Sequence, residues 1–284
     1  MNPDALEGAA PPDVRAVQVA GADLHVEVRG SGPGLLIVGA ADEDAEIWRG
    51  LAERLAPSAS VATYDRRGTG RSSRQGWPCD SATHADDAAH LIRFLGPTRS
   101  TVFGASAGGI VALRLALGHP ELVENVVCFE PGLFGVTDTT EALRRRVETE
   151  VEAHLAANPD DWLGATAALG RAAVSEVEDV SSLFTPPPGR EWFSDRCDAG
   201  AEALIRGELG LTREPVDLEH VGRCPVNLRF AYGSASLPAF REIASRLAGA
   251  RGEHPDVLDG VGHLAFHHLD LITEYLRPII RQKG

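Results

Sequence analysis

The sequence predicts an α/β protein: a mostly parallel central sheet with helices on both faces and a helical insertion late in the chain. Three observations predict it. Short apolar runs alternate with amphipathic stretches from about residue 34 to residue 130. The rhythm stops over 131–220, which is helix-rich and has no clear strand, and resumes at "PVNLRFAYG". Between the apolar run "STVFG" and an apolar helix, a serine sits in a nest of small residues, "GASAG", Gly104 to Gly108.

Taken in order, residues 1–13 read as a loose tail. "VRAVQVAGADLHVEVRGSG" alternates polar and apolar around "GAD" and reads as a β-hairpin over 14–30. "GLLIVGA" is a continuous apolar run that suits a buried parallel strand. "DEDAEIWRGLAERLAP" reads as a helix capped near Asp42 or Asp44 and closed by Pro57. "ASVATYDRRGTGRSS" is a strand running into a Gly-rich loop, in which Asp65 and Arg67 read as turn formers and a local ion pair. "CDSATHADDAAHLIRFLG" is a helix capped by Asp80 or Ser81. The "STVFG" strand, the Ser106 corner and a helix ending at "GHP" follow, and "VENVVCFEP" is a strand ending at Glu130. Over 131–220, "TEALRRRVETEVEAHLAANP" and "REWFSDRCDAGAEALIRGEL" are amphipathic. Then come the strand "NLRFAYG", the helix "PAFREIASRLAG", a strand and loop in "EHPDVLDGVGH", and the helix "LDLITEYLRPII". The expected organisation is one core, 14–130 with 221–284, and a helical lid, 131–220.

Composition bounds the function. The 284 residues are 43% hydrophobic and 24% charged, with a net charge of −14. That excess of acid argues against nucleic acid and anionic membrane surfaces as partners. No run of about 18 apolar residues is present, so no transmembrane helix is expected. The start of the chain lacks the basic and apolar regions of a secretory signal. Among 27 basic residues only Lys283 is a lysine, which leaves no catalytic lysine in the body of the chain. The four cysteines, Cys79, Cys128, Cys197 and Cys224, form no C-x-x-C pair and no metal-ligand spacing. A cytoplasmic protein without structural disulfides or a metal is the expectation.

"GASAG" is G-x-S-x-G, with a strand before it and a helix after it. That context marks a nucleophile elbow, where the serine occupies a strained turn and neighbouring backbone leaves room only for small residues. A serine hydroxyl needs a base to remove its proton, and histidine is best matched near neutral pH. Of ten histidines, His263 is the one in a glycine-rich loop late in the chain, in "DGVGHLAF". His267 and His268 read as surface or packing residues.

These motifs, with "YDRRGTGRS" (Tyr64 to Ser72), "GSGPGLLIVGA" and "GHPELVENVV", resemble the α/β-hydrolase superfamily over about 14–282. The resemblance implies an acyl-transferring serine hydrolase, with the backbone N–H groups of Ala40 and Ala107 as oxyanion donors. Val38 stands where many members have histidine, a change that backbone donors tolerate. Members usually place an aspartate after the strand here written "NLRFAYG". This chain has "GSAS", Gly233 to Ser236, and no acid from Tyr232 to Arg241. Glu130, at the end of the neighbouring strand, is the leading replacement. "FEP" there also resembles the "HEPP"-like strand end of one bacterial branch. Asp259, or a dyad with no acid, are the alternatives. An aspartate nucleophile, as in haloalkane dehalogenases and epoxide hydrolases, is excluded by Ser106.

The lid aromatics Phe134, Trp162, Phe184, Trp192 and Phe193 are expected to form an apolar pocket over the serine. No basic cluster accompanies them, so the expected substrate is an uncharged ester, lactone or thioester of an apolar small molecule. No cofactor is needed, and the protein is expected to be a monomer or homodimer. Two rivals stay open: a non-hydrolytic enzyme on the same scaffold (cyclase, lyase or acyltransferase) and a binding protein with a defunct triad.

Overall fold

β1 (Asp13–Val19) and β2 (Ala22–Arg29) pair antiparallel, with Val19 opposite Ala22 at the turn. They open an eight-stranded sheet in a computed structural model that describes residues 11–40, 43–96, 99–174 and 200–281. The other strands are β3 (Gly34–Val38), β4 (Ser60–Tyr64), β5 (Ser100–Ala105), β6 (Val123–Phe129), β7 (Asn227–Gly233) and β8 (Asp256–Leu258). Their order across the sheet is β1-β2-β4-β3-β5-β6-β7-β8. β2 meets β4 antiparallel, and every pairing from β4 to β8 is parallel. All carboxyl ends of β3 to β8 therefore lie on one edge, where open α/β sheets carry their ligands.

The apolar runs become central strands because both faces are covered. Every residue of β3 and β5 is buried. Side chains alternate across the sheet. Leu36 and Val38 join one core with helices α2 (Ser81–Leu95) and α3 (Ala107–Gly118), whereas Leu35 and Ile37 join another with α1 (Arg49–Leu55) and the last helix, Leu269–Arg281. Each such buried Leu or Ile contributes about 1.5–3 kcal/mol relative to exposure. A charge at Leu36 would reach into the first of these cores.

Two helix starts contrast. Asp80 caps α2 as expected, accepting from Thr83 N–H at 2.8 Å. α1 begins only at Arg49, and Trp48 at its N-cap makes no side-chain cap bond. Asp44 does not cap it. Its Oδ1 accepts from Glu46 N–H at 3.0 Å and Ile47 N–H at 3.2 Å, which closes a preceding turn. Asp42 lies outside the described residues.

Between β6 and β7 the described residues are mostly helical. α4 (Asp138–Ala157) and α5 (Trp162–Val174) pack around a small core of Val147, Val151, Ala165, Ala172 and Ile205. A π-helical turn, Leu204–Glu208, docks this insertion onto the loop after β4. Glu208 pairs with Arg66, both buried. Arg74 donates to Glu202 at 2.8 Å, and Arg206 lies 5.2 Å over the Trp77 ring.

Candidate active site

Ser106 stands between β5 and α3 with φ 52° and ψ −121°, a backbone conformation that a non-glycine residue adopts only when its surroundings impose it. The surroundings are visible. Ser106 N–H donates to Phe129 O of β6 at 3.0 Å, and Gly109 N–H donates to Ser106 O at 2.9 Å. A Cβ at Gly104 would lie 2.2 Å from Gly108 O, and one at Gly108 would lie 2.0 Å from Val38 O. The small residues around the serine are thus the cost-free way to press strands β3 and β5 against the first turn of α3. Ala107 opens that helix, where the first N–H groups have no intrahelical acceptor.

One strand over, Glu130 follows the end of β6. It also has positive φ, 46°, and its side chain is fully buried. Its N–H is tied to Ala231 O of β7 at 2.8 Å. The carboxylate is filled by donors. Oε1 accepts from Gly233 N–H at 2.8 Å. Oε2 accepts from the Ser236 hydroxyl at 2.7 Å and faces His263 Nδ1 at 2.6 Å. An ionised carboxylate can only accept, so Nδ1 carries the proton and Nε2 of the neutral ring is left with its lone pair. The histidine ring is stacked on Phe240, with centroids 4.2 Å apart and planes 10° apart. Its loop is tied by Gly262 N–H, which donates to His268 Nε2 at 3.2 Å. Burial holds the His268 ring below the ordinary histidine range, which favours the neutral form able to accept that bond.

Ser106, Glu130 and His263 all leave the carboxyl edge of the sheet. Among the described residues no hydrogen bond joins Ser106 Oγ to His263; such bonds commonly tighten only when substrate is bound. Asp259 accepts from the Ser234 hydroxyl at 2.9 Å rather than from the histidine. Asp65 forms the turn after β4, accepting from Arg71 N–H at 2.7 Å, but its ion pair is with Arg71. Arg67 pairs instead with Asp87, at 2.7 Å and 2.9 Å.

The other expected residues divide. Phe134 packs 5.7 Å from Phe240, the ring beneath His263, and so joins the aromatic row beside the histidine. Trp162 packs against the insertion's own core, with Arg206 5.9 Å over its ring. Phe184, Trp192 and Phe193 lie outside the described residues. Ala40 N–H is engaged by Glu43 Oε2 at 2.9 Å. Sequence reasoning missed Ser236 as a partner of Glu130, Phe240 under the histidine, and Glu43. The i,i+3 spacing of Ala40 and Glu43 matches the reciprocal half of a capping box and was the available signal for the last.

A parallel sheet wound on both faces, with a strained serine corner and a carboxylate-held histidine on its carboxyl edge, defines an α/β scaffold of the hydrolase type. A model of the alpha/beta hydrolase fold matches residues 33–172. Over 217 residues the chain is 30% identical to a putative carbamate hydrolase, RutD, of Caulobacter sp. (strain K31), covering 72% of this chain and 74% of that one. The chain belongs to the α/β-hydrolase family. It is 40% identical over 119 residues to an uncharacterized hydrolase, YraK, of Bacillus subtilis, covering 40% of this chain and 43% of the relative. A RutD of Azorhizobium caulinodans matches at 33% identity over 51% of this chain and 53% of its own, so the chain spans about half the length of these two relatives. Among solved structures, an esterase from Exiguobacterium antarcticum superposes with a TM-score of 0.74 at 21% identity, covering 95% of this chain and 98% of that one. That likeness shows the fold. Among the described residues no helix is long and apolar enough to cross a membrane.

Proposed function

We propose that the protein is a serine hydrolase acting on an uncharged ester, lactone or thioester of an apolar small molecule through a Ser106–His263–Glu130 triad. The observation that carries the reading is the 2.6 Å contact of buried Glu130 with His263 Nδ1, one strand from the Ser106 elbow. A Glu130 turned away from the histidine would have favoured a defunct binding site; the contact supports the triad instead.

Ser106 Oγ attacks the carbonyl carbon while His263 Nε2 takes its proton. The tetrahedral oxyanion forms at the start of α3, held by Ala107 N–H and, when it is released, Ala40 N–H. Collapse breaks the bond to the leaving alcohol or thiol, which departs with the proton from His263. Water then attacks the acyl-serine, gives its proton to Nε2, and releases the acid as Oγ recovers that proton. Glu130 holds the ring in the reactive tautomer and stabilises its charged form. Phe134 and Phe240 supply apolar surface beside the histidine, and the insertion covers the site as a lid. The relatives named putative carbamate hydrolases are in keeping with attack at an acyl carbonyl. The expected setting is cytoplasmic, as a monomer or homodimer, with no nucleic-acid or membrane partner and no cofactor.

The test is turnover of p-nitrophenyl acetate and butyrate by the wild type and Ser106→Ala. Loss of about 10³-fold or more in kcat, with unchanged thermal unfolding, is expected. A Ser106→Ala protein retaining most of the wild-type rate would sink the reading.

A further inference from the structure

Between β3 and α1, Ala40 and Glu43 are bonded to each other in both directions. Glu43 N–H donates to Ala40 O at 3.1 Å, and Ala40 N–H donates to Glu43 Oε2 at 2.9 Å. The same Oε2 accepts from Trp48 Nε1 at 3.0 Å. Trp48 is itself fixed, edge-on to Phe103 and Phe266 with centroids 5.6 Å and 5.9 Å away. Ala45 N–H is anchored to Asp65 Oδ1 at 2.8 Å. The carboxylate therefore has a built seat, and Glu43 is only 6% exposed in it. The seat adjoins the serine corner. A Cβ at Gly39 would lie 3.0 Å from Glu43 Oε2, and one at Gly108, in the first turn after Ser106, would lie 2.8 Å from Gly39 O.

An oxyanion needs a donor that is aimed and unoccupied. Here one of the two donors proposed for it already carries a carboxylate, and a second negative charge on the same N–H is repelled. We propose that Glu43 is the gating residue of the oxyanion site. It holds the Ala40 N–H in the resting enzyme and turns away when a reacting group enters. This inference rests on the serine-hydrolase reading. Its consequence is selectivity: a substrate turns over fast only if its other contacts offset the release of Glu43. Hydrogen bonds to charged acceptors are worth about ten- to a hundredfold in an equilibrium, which sets the size of the gate.

The experiment uses the full chain and a fluorophosphonate probe. In labelling, Ser106 Oγ bonds to phosphorus as the P–F bond breaks, fluoride leaves, and the hydroxyl proton passes to His263. The phosphonyl oxygen occupies the oxyanion site. kinact/KI is measured for the wild type, Glu43→Gln and Glu43→Ala. The expected result is labelling about ten- to a hundredfold faster in Glu43→Ala, with Glu43→Gln between the two, because its amide still accepts but carries no charge. A scaffolding role alone would slow labelling. Labelling of Ser106 in all three proteins, with both variants no faster than the wild type, overturns the gate and spares the hydrolase. No labelling in any of the three overturns the hydrolase reading and the gate with it. Should Glu43→Ala fail to fold, Glu43→Gln and a crystal structure of the wild-type adduct decide. The phosphonyl oxygen on Ala40 N–H with Glu43 displaced supports the gate; Glu43 still on Ala40 N–H overturns it.

Discussion

Replacing Glu130 by glutamine is the sharpest perturbation of the site because it changes charge and almost nothing else. The buried carboxylate faces three donors: Gly233 N–H at 2.8 Å, the Ser236 hydroxyl at 2.7 Å and His263 Nδ1 at 2.6 Å. Glutamine offers one acceptor oxygen and one NH₂. With the NH₂ toward Gly233, a donor meets a donor. With the NH₂ toward Oε2's partners, it meets His263 Nδ1–H and forces the other tautomer, which removes the lone pair from Nε2. The first placement leaves the buried Gly233 N–H unsatisfied, costing stability about 1–3 kcal/mol; the second keeps every bond but disables the base. The larger effect is on catalysis, since the imidazolium loses its counter-charge as it forms. General acid–base assistance is worth about 100- to 10,000-fold, or roughly 3–5 kcal/mol of barrier. The expected result in p-nitrophenyl ester turnover is a kcat lower by about that factor, with KM nearly unchanged. Stopped-flow and steady-state rates, with an unfolding curve to confirm a folded variant, make the check. A kcat within tenfold of wild type would refute the assignment of Glu130 as the third member.

Two further outcomes follow from the same geometry. Because Ser236 Oγ lies on the carboxylate oxygen that His263 uses, Ser236→Asp combined with Glu130→Gln should recover about tenfold or more of the kcat lost in Glu130→Gln alone; no gain in the double variant counts against the shared seat. Burial, and then the charges of Arg66 and Arg67, hold His84 well below the ordinary histidine range. The unfolded chain therefore takes up a proton near pH 6.5 that the native one refuses, and stability present above about pH 6.5 is lost as pH falls, with a limiting slope of about 1.4 kcal/mol per pH unit. Urea unfolding at about pH 7.5 and about pH 5.5 should show this limb, shallower in His84→Gln.

The fold was legible wherever burial is complete and local. "GLLIV" and the "VFG" of the serine strand are continuous apolar runs because helices cover both faces of their strands, and the first hairpin alternates because only one face is covered in full. Asp80 was legible as a cap because its partner, Thr83 N–H, is three residues away. The acids before α1 misled for a physical reason. They resemble a first helical turn, but Asp44 spends Oδ1 on an earlier turn, and Glu43 reaches back to Ala40 and sideways to Trp48. Arg67 likewise passes over its near neighbour Asp65 for Asp87 on α2. Such choices depend on reach across elements distant in sequence. Nothing in an amphipathic helix separates Phe240, which stacks on His263, from the Phe residues that only fill a core.

The acid at the site is instructive because an absence pointed to it. With no carboxylate after β7, a charged histidine would need one from an adjacent strand, and β6 is the strand between β5 and β7. Strands are about 4.8 Å apart, and glutamate is one methylene longer than aspartate, so a residue after β6 can reach a seat that β7 frames. The structure shows what makes the seat selective for a single charge. β7 and the turn after it contribute only neutral donors to it, Gly233 N–H and the Ser236 hydroxyl, and Gly233 has no room for a side chain, since a Cβ there would lie 2.0 Å from Val261 O. A second carboxylate at position 236 would sit against the first with only one histidine proton to share, and one of the two would have to stay protonated. A hydroxyl avoids that conflict while still holding the glutamate oxygen 2.6 Å from Nδ1. Serine at 236 thus fits a carboxylate at 130, which its hydroxyl meets at 2.7 Å without adding a charge.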